Sequence, residues 1–238
     1  MAGLIRRVQR ALLLREPFPA AWDEIIAARL PFVGKLDDAT QERFREHVAV
    51  FISEKNFEGV GIELDDEIKV VIAGEAARLT MNIDFDLYSA IESIVVRPTH
   101  MKKDDAHILG LVHRWGTVML AWDAVERGLA NDSDGLNTSL HEFAHAIDLV
   151  SGDFDGTPPL ENGTALRRWA TVFARDFLEL QAEPNRGLLR AYGAENEAEF
   201  FAVAVEVFFE KPRQLRAKHP ELYGLLAEFF QQNPADDD

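Results

Sequence analysis

The chain has 238 residues, 47% of them hydrophobic and 28% charged, a composition that supports a folded core and excludes a disordered, fibrous or low-complexity protein. Lys and Arg number 25 against 41 Asp and Glu, and the net charge of −16 argues against nucleic acid or an anionic lipid surface as a direct partner. With no cysteine, disulfides and thiolate metal sites are excluded, any metal must sit on His, Asp or Glu, and a reducing, cytoplasmic setting is expected.

The first residues, through Pro19, carry a continuous apolar stretch of only Leu12 to Leu14, too short for a signal-peptide core, so this segment reads as mature sequence. From Pro19 to Phe57 the pattern is helical: Trp22, Ile25 and Ile26 share a face, Pro31 interrupts, and Phe44, Val48, Phe51 and Ile52 continue. Three β-branched runs then read as strands: Ile68–Ile72, Ser93–Arg97 and Thr117–Ala121. Ala73–Met81 and Trp122–Leu129 read as short helices, and from Asn137 onward the chain is helical again, with a loop expected over Asn185–Gly193. No apolar run approaches the ~18 residues needed to span a bilayer, so no membrane is expected. These elements predict one domain: a helical N-terminal segment over 1–58, a core over 59–232, and an acidic tail over 233–238 too short to pack.

The chemistry is concentrated in His141-Glu142-Phe143-Ala144-His145. In this HExxH pattern two imidazoles lie one turn apart on a helix face and can chelate one zinc, while Glu142 is rotated off that face to act as general base. Leu140, Phe143, Ala144 and Ile147 have the spacing of a helix buried on one side, so the helix that the motif requires is supported independently. Catalytic zinc takes three protein ligands. The metzincin arrangement fails, because it needs Gly at 148 and His at 151 where this chain has Asp148 and Ser151. The alternative is a Glu on a second helix, here one starting near Asn196 and ending before Pro212, with Glu199 as the candidate. Glu199 can also be read as half of a capping box with Asn196. Asp148 and Glu206 are candidates for bonding behind the ligands, whereas His47, His100, His107, His113 and His219 share no ligand spacing and read as surface or core residues.

The segments His-Glu-Phe-Ala-His-Ala-Ile-Asp from His141 and Ala-Glu-Phe-Phe-Ala-Val-Ala-Val-Glu-Val-Phe-Phe from Ala198 resemble the Mlc titration factor A family of zinc peptidases. The likeness continues through Phe57-Glu-Gly, the Asp86-Leu-Tyr region, Val96-Arg-Pro and Leu120-Ala-Trp, from about Trp22 to Phe230. One departure is Val60, where the family favours Cys. The two site motifs are also similar to the catalytic domain of anthrax lethal factor, in which a Tyr lies seven residues before the Glu ligand, as Tyr192 does before Glu199. The resemblance implies an α+β, zincin-like (gluzincin) fold, mainly helical with a small mixed sheet. It implies zinc on His141, His145 and Glu199, Glu142 as base, and Tyr192 as an oxyanion partner.

The expected reaction is hydrolysis of a peptide bond in a peptide or protein, aminopeptidase action included, with Thr117–Ala121 as the sheet edge that receives the extended substrate. The resemblance also implies a second role, the binding of a transcriptional repressor. A repressor-sequestering protein with little or no turnover is the competing expectation, and a fold whose histidines hold no metal is the third.

Overall fold

In the computed structural model, which describes residues 2–99, 101–103, 106–108, 110–113, 116–152 and 154–236, the chain opens with helices α1 (Ala2–Leu13), α2 (Ala20–Arg29) and α3 (Asp38–Glu54). Pro31 ends the helical path of α2 and starts a 3-10 turn over Pro31–Lys35. Helix α3 then begins on Asp37, whose carboxylate accepts the Thr40 N–H at 2.8 Å. Strand β1 (Asn56–Gly59) leads to α4 (Asp66–Thr80), then β2 (Ser93–Arg97), β3 (Met101–Lys103), β4 (Ala106–Ile108), β5 (Gly110–His113) and β6 (Thr117–Ala121). Helices α5 (Trp122–Ala130), α6 (Thr138–Asp148), α7 (Gly163–Ala182), α8 (Glu197–Glu210), α9 (Pro212–Lys218) and α10 (Pro220–Phe230) follow.

The main sheet has the order β1-β2-β6-β5, parallel except for β5, which runs antiparallel to β6; β3 and β4 form a separate antiparallel ribbon. Ile94, Val96, Val118 and Leu120 are buried on one face of the sheet, which fixes its register against the helices. Phe143 of α6 anchors the layer behind the motif, edge-on to Phe51 at 5.6 Å and to Tyr88 at 5.5 Å between ring centroids. The mainly helical fold with a small mixed sheet therefore agrees with the α+β expectation.

Three expectations need correction. Ile68–Ile72 is not a strand but the first part of α4, started by the Asp65 carboxylate on the Ile68 N–H at 2.9 Å. The helix is buried on nearly every side, so it carries no polar face to mark a helical period, and its β-branched run imitates a strand. Gly74 permits this burial, since a Cβ there would lie 2.2 Å from Leu30 Cδ1. Thr117–Ala121 is a strand but not an edge, because β2 and β5 pair with both of its sides. The edge on that side is β5, whose hairpin connection to β6 had no signal beyond Gly116. Finally, the acidic tail packs as far as it is described: Ala235 is buried, its N–H donates to the Tyr223 hydroxyl at 3.1 Å, and Asp236 pairs with Arg216 at 2.6 Å. Asp237, Asp238 and His100 lie outside the described residues, as do the side chains of His107 and His113.

Candidate metal centre

Helix α6 starts at Asn137, whose Oδ1 accepts the Leu140 N–H at 3.0 Å. The same side chain donates through Nδ2 to Glu75 of α4 at 2.7 Å, and the Asn137 N–H donates to Glu206 of α8 at 2.7 Å. Glu210, one turn further along α8, accepts the N–H groups of Gly135 and Leu136 at 2.8 and 2.9 Å. The free N–H groups at a helix start need acceptors, and buried carboxylates of α8 meet those ahead of α6. Two carboxylates of α8 and one of α4 thus hold the start of the motif helix in place.

That anchorage sets the imidazoles. His141 and His145 are buried and lie on the same side of α6, their Nε2 atoms 3.2 Å apart. Glu199 reaches in from the first turn of α8, its Oε2 3.0 Å from His141 Nε2 and 3.4 Å from His145 Nε2. Glu199 does not close a capping box: Asn196 caps its N–H at 3.0 Å, but the Glu199 side chain goes to the histidines. Three donors tetrahedrally placed ~2.0–2.1 Å from one zinc are themselves roughly 3.3 Å apart, which is the spacing found. His141 Nδ1 faces Glu206 Oε1 at 2.7 Å, so Nδ1 keeps its proton and Nε2 is the nitrogen that a metal ion would take. Once His141 gives up its Nε2 proton, its lone pair, a carboxylate oxygen and a second imidazole nitrogen converge, a set that can hold a metal ion.

The charges agree. Burial pulls the His141 imidazolium down, but the hydrogen bonds to Glu199 and Glu206 outweigh it and push its pKa up to about 10. Burial also opposes ionisation of Glu199, yet the bonds from His141 and His145 hold its carboxyl well below the usual range. The site demands positive charge, from a proton or from a metal. Glu206 is itself tied by Arg190 and by the Asn137 N–H, so it cannot swing away from His141.

Glu142 is buried beside the cluster without belonging to it, and burial raises its carboxyl to about 8. Gly110 of β5 lies directly against it: a Cβ at that position would sit 2.4 Å from Glu142 Oε1. Gly110→Ala is therefore expected to displace the Glu142 carboxylate and lower kcat at least tenfold, since ~1 Å of misplacement can cost ~10²-fold, with bound metal unchanged. Equal kcat in the two proteins would show that β5 has room to give.

Tyr192 stands in a 3-10 turn over Ala191–Ala194, its ring centroid 5.8 Å from that of His141 and its side chain partly exposed. Gly193 lets the turn press against α7 and α8, where a Cβ would meet Leu180 at 3.2 Å and Val203 at 3.3 Å. Burial, with the Glu199 and Glu195 charges, keeps the phenol protonated well above its ordinary value.

The structure thus gathers His141, Glu142, His145, Glu199, Tyr192 and Glu206 at one place. It does not bring Asp148 onto a ligand: one oxygen accepts the Gly156 N–H at 3.0 Å, while the other oxygen and His145 Nδ1 have no partner among the described residues. His47 bonds Thr80 at 3.0 Å, and His219 lies 3.3 Å from Asp176, both away from the cluster. Sequence reasoning missed Gly110, Arg190, Glu75 and the double role of Asn137. Only the last had a signal, an Asn four residues before a motif histidine.

The sequence profile of the glucose-regulated metallo-peptidase M90 family matches residues 4–231. The uncharacterized protein slr2042 of Synechocystis sp. is 30% identical over 236 residues, 92% of this chain and 86% of that protein. Mlc titration factor A of Cronobacter sakazakii is 25% identical over 236 residues, 91% of this chain and 87% of its own length. The protein of the same name from Escherichia fergusonii is 26% identical over 233 residues, 90% and 86% of the two chains.

Proposed function

This chain belongs to the glucose-regulated metallo-peptidase M90 family, and on that premise we propose that it is a zinc-dependent peptidase of gluzincin type, with His141, His145 and Glu199 as ligands and Glu142 as general base. The observation that carries the reading is the convergence of three potential ligand atoms at 3.0 to 3.4 Å beside a buried carboxylate that is not one of them. Two imidazoles and a carboxylate, in a chain without cysteine, are the donor set of catalytic zinc in peptidases. When bound there, zinc supplies Lewis acidity and lowers the pKa of water toward ~7.

Glu142 takes the proton of the attacking water and returns it to the leaving amine. Glu206 receives the His141 Nδ1–H and fixes which nitrogen faces the metal. The Tyr192 hydroxyl, kept protonated, donates to the oxyanion that develops on the scissile carbonyl. The edge strand β5, paired on one side only by β6 among the described residues, offers its free backbone groups to an extended peptide.

Tyr192→Phe keeps the ring and removes the donor, so kcat is expected to fall ~10²–10³-fold while KM and zinc content stay near the parent values. A loss of thermal stability with unchanged kcat would instead assign the residue to packing. The whole reading is tested by metal analysis with a peptidase assay on aminoacyl and internally quenched peptides, which also separates aminopeptidase from endopeptidase action. About one zinc per chain is expected, with turnover lost to a chelator and restored by zinc. The name of the Mlc titration factor A relatives supports a second reading, capture of a transcriptional repressor in the cytoplasm with little turnover. Zinc-loaded protein inactive on every peptide, yet able to bind such a repressor, would favour it.

A further inference from the structure

Helix α1 lies on the body the wrong way round for a soluble helix. At about 100° per residue, Leu4, Ile5, Val8 and Leu12 form one stripe, and these are 70%, 59%, 52% and 55% exposed. The opposite side of the helix faces the protein with a charge: Arg10 pairs with Glu54 at 2.6 Å and with Asp86 at 2.8 Å. An amphipathic helix in a water-soluble fold buries its apolar stripe, whereas α1 attaches through Arg10 and Leu13 and turns four large aliphatic side chains outward.

The charges near the stripe indicate what covers it. Residues 1–15 contain four arginines and neither Asp nor Glu. Arg10 is used internally, and Arg6, Arg7 and Arg15 are exposed. A second copy is a poor occupant, because two such helices would bring like charges together. The stripe of a 12-residue helix is also only ~18 Å long and ~10 Å wide, a fraction of the ~800 Å² per partner of a stable dimer. Bulky aliphatics flanked by arginines without acidic residues suit a surface that is apolar beneath and anionic at its face. We propose that α1 docks this protein on an anionic lipid bilayer, lying in the headgroup plane with Leu4, Ile5, Val8 and Leu12 inserted and Arg7 and Arg15 on lipid phosphates.

The net charge of −16 argues against lipid as a partner of the whole surface, but it does not describe this segment. At physiological salt, charges further than ~8 Å from the bilayer are largely screened. No described helix is long and apolar enough to cross a membrane, so the attachment is peripheral and reversible.

The test is sedimentation of the full zinc-loaded chain with vesicles of phosphatidylcholine alone or mixed equally with phosphatidylglycerol. Binding is expected on the mixed vesicles, weaker at higher salt and at least tenfold weaker on phosphatidylcholine. Leu4→Asp/Val8→Asp/Leu12→Asp should lower binding to mixed vesicles at least tenfold, with zinc content and melting temperature unchanged. Arg7→Gln/Arg15→Gln should lower it by a smaller factor and flatten the salt dependence. Absence of binding to the mixed vesicles, or binding that the triple substitution leaves intact, overturns the proposal. So does a dimer in solution that the triple substitution converts to monomer while neither protein sediments with vesicles.

Discussion

Glu142→Gln is expected to lower kcat ~10²–10⁴-fold, the usual contribution of a positioned general base, while zinc content and melting temperature stay at parent values. The amide is nearly isosteric with the carboxylate, so the contact with Gly110 survives, and Glu142 lies outside the ligand cluster, so no donor is lost. What disappears is the ability to accept a proton. The pH dependence supplies a second readout. Burial raises the Glu142 carboxyl to about 8 in the metal-free protein, and a cation beside it favours the ionised form and brings the value down again. A general base works ionised, so activity should fall as pH drops through the value in the loaded enzyme, and the residual activity of the Gln variant should lack that acid limb. Parent-level turnover in the variant would remove Glu142 from the chemistry.

The parts of this site that were legible in the sequence are those written as spacing along one helix. His141 and His145 meet because four residues make one turn, and Glu199 was legible because it opens a second helix whose other positions are apolar and must pack inside. The supporting residues belong to other elements. Gly110 touches Glu142 across a strand-to-helix contact, and Glu75 reaches Asn137 from a helix 62 positions away in sequence. No local pattern encodes such a meeting. The misreading of Ile68–Ile72 has the same origin in reverse. Amphipathic period is a signature of half-burial, and α4 sits so deep, between α3 and α6, that it has no polar face to show.

The contrast between α4 and α6 also bears on where the site's rigidity comes from. Both helices are buried, but α6 carries His141, Glu142, His145 and Asp148 among its buried residues, and each buried polar group needs a partner. The carboxylates of Glu206, Glu210 and Glu75 serve the beginning of α6, and the Gly156 N–H serves Asp148 near its end. Burial makes two of them costly to ionise: Glu210 is pushed up to about 7, and the Glu75 carboxyl is also raised. Their hydrogen bonds to the start of α6 fix where that helix carries its two imidazoles.

Glu199→Ala should weaken zinc binding by ~10²–10³-fold or more, since the ~10–16 kcal/mol of a structural zinc site, divided among its ligands, assigns about 3 kcal/mol to each. Peptidase activity at limiting zinc should vanish with it. The same measurement carries a proton signature. In the metal-free protein the hydrogen bonds to Glu199 and Glu206 overcome burial and raise His141 to about 10, so at neutral pH its imidazole is protonated and zinc uptake must release that proton. Zinc affinity of the parent protein should therefore rise at least tenfold per pH unit near neutral pH, and calorimetry in buffers of different ionisation enthalpy should detect more than one proton released per zinc, one from His141 and a further share from Glu142 as its carboxyl ionises beside the cation. Removing Glu199 takes away one of the two carboxylates that favour the imidazolium, so His141 loses its proton more readily and the pH dependence of what binding remains should be shallower. A variant that binds zinc as tightly as the parent, with the same slope, would show that Glu199 is no ligand and that its contacts with the two histidines are ion pairs alone.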